Sequence, residues 1–140
     1  MYLLDTNICI YAITGRHPRL TEKLLSIHPS NILVSSITIG EMEYGAAKSK
    51  WSDRSRQIMR TFLASFDTLP FTEQDAVIFG TIRAQLEKAG IAIGILDAMI
   101  GAQGVANDLT VITHNTRGFI RIPGIKLEDW VADENNCCSH

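Results

Sequence analysis

The sequence has little of what would mark a special class of protein. No sign of charge dominates: 13 Lys and Arg stand against 15 Asp and Glu, for a net charge of −2 and a pI of about 6.0. A polyanionic partner would therefore be held by a local patch, not by bulk charge. Only three cysteines are present. Cys9 lies in an apolar segment and reads as a small core residue. Cys137 and Cys138 are adjacent in a polar tail that ends in His140, without the paired spacing of zinc sites. Such usage excludes a disulfide framework and suits a reducing compartment. No apolar run is long enough to span a bilayer, and Asp5 interrupts any apolar signal segment. A cytoplasmic chain without a membrane partner is expected. The first apolar run is not followed by a Gly-rich turn, which excludes a dinucleotide-binding unit, and no Walker-type loop occurs. Internal repeats and low-complexity tracts are also missing.

What remains is an ordinary globular composition: 140 residues, 46% hydrophobic and 20% charged. That is enough for one unstapled core. Short apolar runs at Tyr2–Leu4, Ile32–Val34, Thr68–Phe71, Leu109–Thr113 and Ile125–Leu127 read as strands. Pro70 puts the third of these at a sheet edge. Segments of helical periodicity lie between them, over about 8–13, 20–27, 37–48, 58–66, 72–90 and 97–107. Thr72 with Asp75 forms a weak version of the capping box. The alternation predicts an α/β fold with a mostly parallel central sheet flanked by helices. The expected domain covers residues 1–132, with 133–140 a disordered tail.

Within that frame the acids are informative. Asp5 follows the first strand, and Thr6 and Asn7 behind it are good helix N-caps. Glu41 lies near the start of the third helix and Asp97 opens another. Asn115 follows the strand around Val111. Ligands in open parallel sheets sit beyond the carboxyl ends of the strands, where this topology gathers all four. Each has a plainer reading: Asp5 as a turn residue, Glu41 and Asp97 as acids that favour a helix dipole. Together, carboxylates at one edge repel unless something offsets their charge. A hard divalent cation does so, activates water and holds a phosphate oxygen. Metal-assisted hydrolysis of a phosphodiester is the chemistry these residues indicate. A haloacid-dehalogenase-type phosphotransferase would need an acid where Asn7 stands.

The pieces Leu3-Leu4-Asp5-Thr6-Asn7-Ile8, Ser35-Ser36-Ile37-Thr38 through Glu41 and Glu43-Tyr44-Gly45, Ile82-Arg83-Ala84, Gly94-Ile95-Leu96-Asp97, His114-Asn115-Thr116-Arg117-Gly118-Phe119 and Leu127-Glu128-Asp129-Trp130 are ordered as in PIN-domain nucleases. More narrowly, the chain resembles the VapC toxins of type II toxin–antitoxin modules from Met1 to about Val131. The resemblance implies a Mg²⁺-dependent endoribonuclease, with Mn²⁺ able to substitute, that cuts a structured RNA such as a tRNA or rRNA loop. Asp5, Glu41 and Asp97 match the acidic metal ligands. Asn115 matches a position where many PIN domains carry a fourth acid. Thr6, Asn7 and Thr113 match supporting positions. The resemblance also implies a homodimer and a small cognate antitoxin. Ile95 departs from the family's usual Pro, and Gly101, Gln103 and Gly104 depart from its usual Ala and His. The alternative is a PIN-like module that binds RNA or antitoxin without cutting.

Other residues keep two readings. Glu43 lies two residues from Glu41, turned away by roughly 160–200° on a helix, and is not expected to be a ligand. Lys48, Lys50, Arg54, Arg56 and Arg60 form either a solvated face or an RNA-contacting rim, and Arg117 is a further candidate contact. Trp51 reads as a base-stacking or a packing residue. His114 reads as a loop residue or an RNA contact. Tyr11, Phe62 and Phe66 read as core or interface.

Overall fold

The computed structural model describes residues 1–132. The tail 133–140, with Cys137, Cys138 and His140, lies outside the described residues. Five short strands form one sheet: β1 (Tyr2–Leu4), β2 (Ile32–Ser35), β3 (Asp67–Leu69), β4 (Thr110–Ile112) and β5 (Lys126–Glu128). Their order is β3-β2-β1-β4-β5 and every pairing is parallel. β1 is central, which places the chain's first acid in the middle of the sheet's carboxyl edge. β3 is an edge strand, and Pro70 ends it.

Side-chain alternation along the strands divides the core in two. Leu4 pairs with Val34 and Ile112 on one face; Leu3 pairs with Leu33 and Val111 on the other. The first face packs against α1 (Thr6–Thr14), α2 (Pro18–Ser26), α3 (Ser36–Lys48) and α4 (Asp53–Ala64), through Ile8, Leu20, Met42 and Met59. The second packs against α5 (Glu73–Lys88), α6 (Ile95–Ala106) and α7 (Thr116–Phe119), through Ile82, Ile100 and Phe119. Each such fully buried aliphatic side chain contributes about 1.5–3 kcal/mol of transfer free energy. Among the described residues no helix is long and apolar enough to cross a membrane.

The glycines of α6 are where helix and sheet meet most closely. A Cβ on Gly104 would lie 2.5 Å from Val111 Cγ2, and one on Gly101 would lie 2.3 Å from Ile122 Cδ1. Close approach to β4 and to the chain after α7 offsets the helical cost of these two residues.

Four local details differ from the sequence expectation. Asp5 itself, and not Thr6 or Asn7, caps α1. Glu41 sits in the second turn of α3, because Ser35 caps that helix and it begins at Ser36. Residues 114–119 are not all loop: Asn115 accepts from Gly118 N and starts the single turn α7, which buries Phe119 completely. The capping box at Thr72 and Asp75 is complete in both directions.

Candidate active site

Asp5 is reached first from β1. Its backbone N donates to Ile112 O at 3.0 Å, so the sheet ladder runs up to it. The chain then turns into α1, and Asp5 Oδ1 accepts from Ile8 N at 2.8 Å. The carboxylate also accepts from the buried Thr113 hydroxyl. Thr113 in turn accepts from Asn115 N at 2.9 Å, which links the two ends of the edge. With 4% exposure, Asp5 is a buried acid with no basic partner among the described residues. Burial raises its pKa from 3.8 to about 6, against the pull of the Thr113 and Ile8 hydrogen bonds. Asp97 and Glu41 raise it further by like-charge repulsion.

Glu41 comes from α3 and is held across the edge by α1. Thr6 Oγ1 donates to Glu41 Oε1 at 2.6 Å and lies 3.2 Å from the buried Thr38 Oγ1. Asp97 comes from the first turn of α6 and is half-buried. Its pKa is also raised, by burial first and by Glu41 second. Asp5, Glu41 and Asp97 therefore share one electrostatic neighbourhood. Asn115 joins it through Thr113, although its own amide oxygen faces Gly118 N and the residue is exposed. Asn7 is exposed, and among the described residues no hydrogen bond ties its side chain to the acids.

The acidic side chains that gather here offer only oxygen, as three carboxylates, while the Asn115 amide oxygen is taken by Gly118 N. Such a set suits a hard cation like Mg²⁺, which needs only one or two carboxylates and keeps several waters. A cation would also relieve the raised pKa of the buried Asp5. Among the described residues no three His, Cys, Asp or Glu side chains close into a ready cage. The acids converge within electrostatic reach rather than at one ligand point.

Lys48, Lys50, Arg54 and Arg117 are exposed. Lys48 is seven residues beyond Glu41, on the same side of α3 and about 10 Å along it. Its Nζ sits 5.8 Å from the Tyr44 ring centroid. Arg60 is engaged elsewhere: its guanidinium forks onto Glu43 at 2.8 and 3.0 Å. That pairing places Glu43 away from the site. Trp51, Tyr11, Phe62 and Phe66 are half-buried and pack against the first core face. His114 Nδ1 bonds Asp129 Oδ2 at 2.9 Å. Nothing local in the sequence marks Thr38 or the Ser35–Gln103 pair as neighbours of the acids. The signal for Gln103 was an amide amid small residues, Gly101, Ala102 and Gly104, inside a helix that had to be buried.

Sequence and fold both match known proteins. The PIN domain family model matches residues 2–125. The tRNA(fMet)-specific endonuclease VapC of Salmonella typhimurium is 37% identical over 92% of this chain and 97% of its own. Ribonuclease VapC2 of Rickettsia felis is 36% identical over 93% of this chain and 98% of its own. The crystal structure of VapBC2 from Rickettsia felis, bound to a DNA fragment from their promoter, contains a chain that superposes with a TM-score of 0.86. That chain is 33% identical, with 92% of this chain and 98% of that one covered.

Proposed function

The chain belongs to the PIN-domain family and, within it, to the VapC ribonucleases of toxin–antitoxin modules, and from that premise we propose that it is a Mg²⁺-dependent endoribonuclease acting on a structured RNA loop. Mn²⁺ substitutes for Mg²⁺. The single observation that carries the reading is the convergence of Asp5, Glu41 and Asp97 at one edge: burial, and then their mutual repulsion, raise the pKa of Asp5 and Asp97. Asp5 and Asp97 are the principal holders of the cation and Glu41 completes the set. The bound ion supplies Lewis acidity toward a phosphate oxygen and lowers the pKa of water.

The chain's own residues do the rest. Thr113 and Ile8 N fix the Asp5 carboxylate, and Thr6 fixes Glu41. Asn115, whose amide oxygen accepts from Gly118 N in this structure, would have to turn that oxygen toward the acids to add a neutral ligand at the same edge. Lys48, Lys50, Arg54 and Arg117 contact phosphates flanking the scissile bond and position the strand without reading its sequence.

The first RNA to test is initiator tRNA, because the Salmonella relative is named for it; a ribosomal RNA loop is the other candidate. The protein acts in the cytoplasm and is a homodimer silenced by a cognate antitoxin. Light scattering at twice the chain mass checks the dimer. For the activity, the chain is induced briefly and new 5′ ends are mapped in total RNA. A single dominant cut in a structured loop, absent with Asp5→Asn, is the expected result. Soluble protein without any new 5′ end contradicts the reading.

A further inference from the structure

Asp97 sits at the less secured end of its helix. Gly94, at the N-cap position of α6, offers no side-chain cap, and Ile95 and Leu96 in the first turn are exposed. The fastening lies farther along. Gln103 is completely buried, as is Ser35. The Ser35 hydroxyl donates to Gln103 Oε1 and accepts from Ile37 N at 3.0 Å. Gln103 Nε2 donates to Leu69 O at 3.3 Å. One amide thus joins α6 to the last residues of β2 and β3. The main-chain carbonyl of Gln103 also accepts from Asn107 Nδ2 at 2.8 Å, and Asn107 Nδ2 donates to the buried Asp75 at 3.2 Å. Among the described residues every buried side-chain polar atom is satisfied. Networks of this kind hold a unique geometry because leaving one member unpaired is costly.

The placement of this network relative to the acids is what gives it a functional meaning. Ser35 precedes Glu41 by six residues, and Gln103 follows Asp97 by six. Ser35 touches Gln103, and Glu41 lies within electrostatic reach of Asp97. α3 and α6 therefore cross with opposite chain sense. The buried bond sits about 9 Å along each helix from the acid pair, at 1.5 Å per residue. Sliding α6 past α3 would change the separation of Glu41 and Asp97, and it would have to break the Ser35–Gln103 bond to do so.

We propose that Gln103, through Ser35, is a positioning residue that sets the spacing of Glu41 and Asp97 for cation binding. The inference rests on the metal reading given above. Its test is Mn²⁺ affinity, measured by electron paramagnetic resonance of free Mn²⁺ on chelator-stripped protein. The variants are Gln103→Met, which keeps length and removes both side-chain bonds, and Ser35→Ala, which leaves the bond to Leu69 O available. Leu20→Val, in the other core face, serves as a control for stability lost without effect on the site. Gln103→Met and Ser35→Ala should each weaken Mn²⁺ binding at least about fivefold, and the double variant no further than the weaker single, because the two residues form one device. The Leu20→Val protein should bind as the parent does. Parent-like affinity in folded Gln103→Met and Ser35→Ala overturns the inference, as does equal weakening in Leu20→Val. If Gln103→Met does not fold, Ser35→Ala decides alone. A parent that binds no Mn²⁺ overturns the metal reading itself and this inference with it.

Discussion

The hydroxyl of Thr6 donates to Glu41 Oε1 across 2.6 Å, so the first residue of α1 holds an acid from the second turn of α3. A hydrogen bond to a charged group is worth about 1.5–3 kcal/mol. Thr6→Val keeps the shape and removes the donor. Cleavage under single-turnover conditions should slow about tenfold, equivalent to roughly 1.4 kcal/mol, and the melting temperature should fall by a few degrees. Thr6→Ser, which retains the hydroxyl, should stay close to the parent. A Thr6→Val protein as fast as the parent would remove Thr6 from the site.

The buried Asp5 should make the metal-free protein sensitive to pH in an unusual direction. Its folded pKa of about 6 lies above the 3.8 of a free side chain. The native state therefore holds the proton more tightly than the unfolded chain. The stability this provides is fully present below pH 3.8 and is lost as pH rises through about 6. The loss is on the order of 2–3 kcal/mol. Asn caps a helix as well as Asp does and carries no charge to bury. With chelator present, Asp5→Asn should be the more stable protein at pH 7.5, and the gap should close toward pH 4.5. Urea melts at several pH values check this; an Asp5→Asn protein less stable at pH 7.5 would contradict it.

The α6 glycines should respond oppositely to a glycine in open space. A Cβ at Gly104 meets Val111 Cγ2 at 2.5 Å, on a β-branched, fully buried side chain that has little freedom to move. Overpacking of this kind costs about 1–3 kcal/mol. Gly80 in α5 has nothing within 4 Å of its Cβ position, and Ala there should gain about 0.5–1 kcal/mol from helix propensity. Thermal melts should show Gly104→Ala below and Gly80→Ala above the parent. Equal shifts would mean that α6 is not seated as described.

Most of the architecture is legible in the sequence because strand ends and helix starts carry their own punctuation. Asp5, Ser35 and Thr72 each stop or cap an element, and β-branched residues mark β4. The acids stand out in the sequence for the same reason: each follows a strand or lies near the start of a helix. What was not legible depends on contacts distant in sequence. Thr6 and Glu41 are 35 residues apart, and Ser35 and Gln103 are 68 apart. No local pattern pairs them. The single turn α7 was hidden because its polar residues read as loop, while only Phe119 draws it into the core.

Charge balance predicts how many cations the edge will hold. Two divalent ions about 3.5–4 Å apart repel strongly and need anionic ligands to offset the repulsion. Asn115 offers an oxygen without charge. One Mn²⁺ should bind first, between Asp5 and Asp97, and a second only weakly without RNA. Asn115→Asp should tighten the second event and leave the first nearly unchanged. Calorimetric titration with and without a non-cleavable RNA reads both events. Two equally tight ions in the RNA-free parent, unaffected by Asn115→Asp, would refute the charge argument.

Asp5 and Asp97 are expected to support cation-dependent RNA cleavage, and cut rates on one RNA read this directly. Purified parent, Asp5→Asn and Asp97→Asn proteins are incubated with initiator tRNA and, separately, with total RNA. Each reaction is run with Mg²⁺, with Mn²⁺ and with chelator. The parent should cut one structured loop with either cation and stop when chelator is added. Both variants, matched to the parent in fold and purity, should be slower by about a hundredfold or more, as expected when a charged group acting on the transition state is lost. Parent-like cutting by Asp5→Asn or Asp97→Asn, or cutting by the parent in chelator, would contradict the account.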